Sequence, residues 1–258
     1  MSSNAPIGFL DSGIGGVTVM REAQKLLPNE NYIFFSDSVN NPYGDKSDNE
    51  IIDRCFELAH LLLDEKGCKA LVLACNTASA KAAGALRERY PDKPVFAIEP
   101  AYKMVHDINP QGFTLVMATR GTVNSEKFRR LYYKYYNHKT ALLSCVGLAD
   151  LIEQDRQEEL KEYLEKTIGE YRGVAQNVVL GCTHYPLAKK QIADVLGDVE
   201  FYDGSLGISK RLKDVLEKES LLTDAVQKGD IEFIDSSDTA EQQEQKKERF
   251  FRLLDEEN

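Results

Sequence analysis

The 258-residue sequence predicts an α/β protein of two similar domains, each with a mostly parallel sheet flanked by helices. The two are expected to be related by a pseudo-twofold, with the functional site in the cleft between them. Two observations predict this. Short apolar runs alternate with helical patterns along the chain, as in parallel sheets covered on both faces. The chain also repeats itself: ALVLACNT at 70–77 resembles NVVLGCTH at 177–184, and an earlier strand in each half ends in a glycine-containing turn, DSGIGG at 11–16 and TRGTVNS at 119–125.

The apolar runs at 7–10, 32–35, 70–74, 95–98, 113–117, 141–144 and 178–180 read as buried strands. Between them, 50–66, 79–90, 125–136 and 151–171 carry helical patterns. The last helix is expected over 238–254, where Phe250, Phe251, Leu253 and Leu254 supply an apolar stripe that packs back on the first half. That return makes the first domain discontinuous, 1–97 plus 210–258, with 98–209 as the second.

Hydrophobic residues make up 42%, enough for a core, and no run reaches the roughly 18 apolar residues of a membrane span. The opening MSSNAPIGFLDSG has no basic region followed by an apolar segment, so no secretory signal is expected and the cytoplasm is the predicted location. A formal charge of −10 works against binding nucleic acid, whose affinity comes largely from Lys and Arg at phosphates. The five cysteines form no CxxC pair and no metal-ligand spacing, which predicts free thiols and no metal site.

Ligands of open α/β sheets bind beyond the carboxyl ends of the strands. Four polar clusters fall there: Asp11–Ser12, Asn76–Thr77 after Cys75, Thr119–Thr122, and Thr183–His184 after Cys182. Each precedes or opens a helix, whose first N–H groups favour an anion, so a small carboxylate suits the arrangement. The turn 13–18, GIGGVT, has Thr18 where a dinucleotide fingerprint needs its third glycine, and no GxxxxGK[ST] loop is present.

Cys75 and Cys182 each follow an apolar strand and precede hydrogen-bonding residues at an expected helix start. A free thiol titrates near about 8.5, and a helix N-terminus or a cation lowers that. Cys55 lies on a buried helix stripe, and Cys68 and Cys145 are read as packing residues. Inverting a stereocentre needs a proton removed from one face of a carbon and another delivered to the opposite face. Two thiols in matching settings of two facing halves supply that geometry, each contributing roughly 10²–10⁴-fold as a positioned acid or base.

DSGIGG, NNPYG, LACNTAS, IEP, ATRGTVNS and LGCTHYP, in this order, resemble the glutamate racemases of the aspartate/glutamate racemase family over nearly the whole chain. His184 in the last motif separates the sequence from aspartate racemases, which usually carry an acidic residue there. The resemblance implies a cofactor-independent, two-base interconversion of L- and D-glutamate that feeds peptidoglycan synthesis, in a homodimer. It implies that Cys75 acts on the D-enantiomer with Asp11, and Cys182 on the L-enantiomer with His184. Glu153, in GLADLIEQ, matches a glutamate that contacts the histidine and completes the catalytic set. Substrate-holding positions are matched by Asp11, Ser12, Tyr43, Gly44, Asn76, Thr77, Thr122, Thr183 and His184.

IEPAYK and GLADLIEQ depart from the usual pattern, outside the acid–base set, and the N-terminus lacks the extension linked to cell-wall-precursor activation in enterobacterial members. Four other readings are distinguishable. A Cys182–His184 hydrolase leaves Cys75 without a role. A metal site would draw on Cys75, Cys182, His184 and Asp11. A racemase of another acidic amino acid would differ in substrate alone, and a racemase-like binding protein would have no turnover.

Overall fold

The computed structural model describes residues 3–256. The first sheet is built from β1 (Ile7–Asp11), β2 (Tyr32–Ser36), β3 (Ala70–Leu73) and β4 (Val95–Ala97), with α1 (Val17–Leu26), α2 (Asp48–His60) and α3 (Asn76–Arg89) between them. The chain then passes through α4 (Tyr102–Ile108) into the second sheet. There β5 (Thr114–Ala118), β6 (Thr140–Ser144), β7 (Asn177–Gly181) and β8 (Glu200–Tyr202) alternate with α5 (Arg120–Val123), α6 (Glu126–Tyr135), α7 (Leu148–Glu153), α8 (Gln157–Ile168) and α9 (Lys189–Leu196). Finally α10 (Ser205–Lys218), β9 (Ile231–Asp235) and α11 (Ala240–Asp255) return to the first half, where β9 pairs with β2 and α11 packs on β9 and α1. Position 210 lies within α10, which packs along α1.

Every strand pair is parallel. The sheet orders are β4-β3-β1-β2-β9 and β6-β5-β7-β8. Read from β8, the second order is β8-β7-β5-β6, the same path as β4-β3-β1-β2, so the internal repeat is a repeat of topology. In each half the chain reverses direction across the sheet after its second strand. The crevices of the two halves therefore open between β1 and β3 and between β5 and β7, where such sheets hold ligands.

Alternation within the strands separates the two faces of each sheet. Phe9, Phe34 and Val72 pack with Val19, Leu212 and Phe250, while Leu10, Phe35 and Leu73 pack with Cys55, Leu62 and Ala82. In the second sheet Leu115 and Val178 face Leu148, Leu164 and Ile192, and Val116 and Val179 face Tyr102 and Phe128. Buried on both faces, the strands have no reason to alternate polar and apolar residues, hence the continuous apolar runs.

The α/β architecture and the seven expected strands are present, with ends shifted by a residue. Four helical features differ. The segment expected as one helix at 151–171 is broken at Asp155, whose φ of +55° lies in the left-handed region, so α7 ends before α8 begins. The 50–66 segment is α2 followed by a π-helical turn, Leu61–Glu65. α3 starts at Asn76, three residues earlier than expected, which makes Cys75 its N-cap. After Cys182 the chain forms a 3-10 turn, Tyr185–Ala188, before α9, with Pro186 in its first turn, where the missing N–H would have no partner in any case.

Candidate active site

The carboxyl ends of the two sheets face each other, and Cys75 and Cys182 line one cavity between them. Ser12, Tyr43, Gly44, Asn76, Thr77, Thr183 and His184 share its wall. Asn41, Pro42, Thr119 and Ala149 complete it. The cavity measures about 20 Å³, room for about one water. Each cysteine is 6% exposed, whereas Cys55 and Cys68 are wholly enclosed, so the paired thiols are the reachable ones.

Cys75 stands at the N-cap of α3, where the Ala78 N–H favours its thiolate, and its sulfur lies 3.5 Å from the Ser12 hydroxyl. Burial nonetheless pushes the thiol well above its ordinary range, reinforced by the charge of Asp11. This corrects the expectation of a lowered thiol: the helix N-terminus helps, but desolvation wins until a cation enters. The Cys55, Cys68 and Cys145 thiols are each pushed up to about 12, also by burial, and have no access to the cavity.

Asp11 ends β1 behind this wall. Its Oδ2 accepts from the Gly16 N–H at 2.6 Å and from the Thr183 hydroxyl of the second half at 3.3 Å. Burial raises its carboxyl to about 6, against the lowering influence of His184 and the Gly16 N–H.

On the other side, His184 Nδ1 lies 3.8 Å from Cys182 Sγ, and Nε2 lies 2.6 Å from Glu153 Oε2. Burial disfavours charge on His184, but Cys182 and Glu153 outweigh it and raise the ring's proton affinity well above the usual range. Burial likewise opposes ionisation of Glu153, yet hydrogen bonds and charge from His184 and Lys246 hold it below the usual carboxylate range.

The glycine-rich turn after β1 explains how this pair comes so near the first half. A Cβ at Gly13 would meet Glu153 Oε2 at 2.8 Å, and one at Gly15 would meet the His184 backbone nitrogen at 2.7 Å. The turn does hold a carboxylate, that of Glu153, which accepts from the Ile14 N–H at 3.1 Å.

The remaining positions divide by what their polar atoms do. Asn76 Nδ2 is buried without a hydrogen-bond partner among the described residues, a donor in the cavity wall. Thr77 Oγ1 and Thr119 Oγ1 meet at 2.9 Å across the halves. The Tyr43 hydroxyl donates to Asp37 at 2.6 Å, and Arg54 holds that carboxylate, so Tyr43 offers the cavity only its ring and backbone. Thr122 lies outside the cavity wall and bonds Thr119, 3.0 Å between hydroxyls. Thr119 stands in the ATRGTVNS motif, whereas Ala149 on α7 carried no local sign of its place. Among the described residues, no group of three His, Cys, Asp or Glu converges to hold a metal ion, and no helix is long and apolar enough to cross a membrane.

Known proteins are similar to this chain in sequence and in fold. The Asp/Glu/Hydantoin racemase family profile matches residues 13–206. A glutamate racemase of Clostridium perfringens is 43% identical over 238 residues, covering 90% of this chain and 91% of the relative. The crystal structure of Francisella tularensis glutamate racemase in complex with D-glutamate superposes with a TM-score of 0.80 at 30% identity, covering 97% of this chain and 94% of that one. Escherichia coli glutamate racemase, in complex with L-glutamate and the activator UDP-MurNAc-Ala, gives 0.81 at 30% identity, over 95% of each chain. Matched over most of its length in both sequence and fold, the chain belongs to the Asp/Glu/hydantoin racemase family, in its glutamate racemase group.

Proposed function

We propose that the protein interconverts L- and D-glutamate without a cofactor, using Cys75 and Cys182 as the two bases. One observation carries the reading: thiols from corresponding strand ends of the two halves line a single cavity. Glutamate as substrate is supported by the relatives at 43% identity and by the D- and L-glutamate complexes of the related structures.

In this reading the Cys75 thiolate removes the Cα proton of D-glutamate and the Cys182 thiol delivers a proton to the opposite face. The reverse reaction exchanges the roles. The substrate ammonium brings the cation that Cys75 lacks, offsetting the burial and the Asp11 charge that hold its proton on. Asp11, at about 6, is matched to exchanging a proton near neutrality. His184 serves Cys182, and Glu153 orients His184 without touching substrate. The unpartnered Asn76 amide, with Ser12, Thr77 and Thr183, suits the substrate carboxylate, whose charge grows as the Cα carbanion forms. Gly44 leaves space beside Thr119, and Tyr43 and Thr122 support the wall.

The domain division at 97/98 and 209/210, a cytoplasmic homodimer and supply of D-glutamate for peptidoglycan belong to the same proposal, with the family resemblance as their support. Light scattering tests the dimer. The activity is tested by circular dichroism: either enantiomer of glutamate should lose its signal toward an equal mixture. An unchanged signal with folded, reduced protein, or faster loss with aspartate, contradicts it.

A further inference from the structure

α11 packs on the first sheet, yet Lys246 on it forms an ion pair with Oε1 of Glu153, on α7 of the other half. Glu153 divides its two oxygens: Oε1 takes Lys246, while Oε2 takes His184 Nε2 at 2.6 Å and the Ile14 N–H at 3.1 Å. One turn further along α11, Arg249 donates to the backbone carbonyls of Ile152 and Glu153. The glutamate is thus held at both its backbone and its carboxylate by a helix that does not reach the cavity.

We propose that Lys246 is a positioning residue that sets how tightly His184 holds its proton, acting through the carboxylate they share. This rests on the reading of Cys182 and His184 as the proton-transfer pair for L-glutamate. A carboxylate that serves an imidazole alone places its full charge on the ring's proton. A second cation on the other oxygen draws off part of that field, so the ring gives its proton up more readily and can exchange it with Cys182. The other ionisable groups facing His184 are Glu153 and Asp150 from α7, Asp11 from β1, and Cys182 beside it. Both carboxylates besides Glu153 favour the charged ring; the α11 cations Lys246 and Arg249 oppose them, and of these two it is Lys246 that sits on the carboxylate His184 shares.

The Lys246 side chain is 24% exposed and borders a cavity of about 470 Å³ on the outer side of α11, so an unbranched apolar replacement is accommodated. The test compares the unaltered protein with Lys246→Met and Lys246→Arg. In protein carrying nitrogen-15 histidine, the His184 midpoint should rise by about half a unit or more in Lys246→Met and return in Lys246→Arg. The alkaline limb of kcat/KM against pH for L-glutamate should move up equally, with kcat at pH 7 down about three- to tenfold and KM within about twofold. An unmoved or lowered alkaline limb in folded Lys246→Met overturns the proposal. Equal losses in Lys246→Met and Lys246→Arg also overturn it, because packing rather than charge would then be responsible. If the unaltered protein does not racemise glutamate, the functional reading fails, while the histidine titration still decides the role of Lys246.

Discussion

Asp11 lies wholly inside the protein with its carboxyl raised from the ordinary 3.8 to about 6 by burial. For an acid raised on folding, the native state holds its proton more tightly than the unfolded chain does. The stability this contributes is complete below about 3.8 and is lost as pH rises through about 6. Above that, ionised Asp11 costs the fold on the order of 2–3 kcal/mol. Asp11→Asn keeps an oxygen for the Gly16 N–H and removes the charge. Urea unfolding should therefore show it more stable than the unaltered protein at pH 8, with the gain smaller by roughly 1 kcal/mol at pH 5. Racemisation should fall by about 10²-fold. A loss of stability at pH 8 would show that Asp11 is structural. The two cysteines that line the cavity and their polar neighbours were legible in the repeated strand-end motifs. The raised Cys75 thiol was not, because sequence gives the helix N-terminus but not the depth of burial.

The turn between β1 and α1 determines how near the halves come. Gly15→Ala sets a methyl against the His184 backbone, which cannot swing aside as a flexible side chain would. It should destabilise by about 1–3 kcal/mol and cut turnover at least tenfold, read by thermal unfolding and by circular dichroism. A buried ion pair ties other elements together. Lys69, at the start of β3, pairs with Glu30, which also accepts from the Thr223 N–H at 2.9 Å. Lys69→Met strands a buried carboxylate and should cost about 3–5 kcal/mol in urea unfolding, with little change in KM. The strands buried on both faces announced themselves as apolar runs. β8 and β9 did not, since Glu200, Glu232 and the half-exposed residues around them break the run. The break at Asp155 was equally hidden: it lies within the polar stretch 153–159, which passes for a solvated helix face because Leu160, Leu164 and Ile168 resume the spacing of Leu148 and Ile152.

At the scale of the molecule, two sheets with one topology face each other across a cavity of about 20 Å³, too small for an amino acid. On the proposed function, glutamate would enter by the halves parting and would then bridge them. Saturating D-glutamate at about 100 times its Kd should add roughly 2.7 kcal/mol to stability in thermal unfolding. No shift with ligand at that excess would argue against a site shared by both halves.

The central claim is that two bases act on opposite faces of one carbon, and deuterium oxide tests it most directly. Starting from L-glutamate, early D-glutamate should carry deuterium at Cα while the remaining L-glutamate stays largely unlabelled, and Cys75→Ala and Cys182→Ala should each abolish turnover in both directions. D-glutamate that retains its original proton, deuterium entering both pools at equal rates, or racemisation surviving the loss of Cys75, would contradict the account.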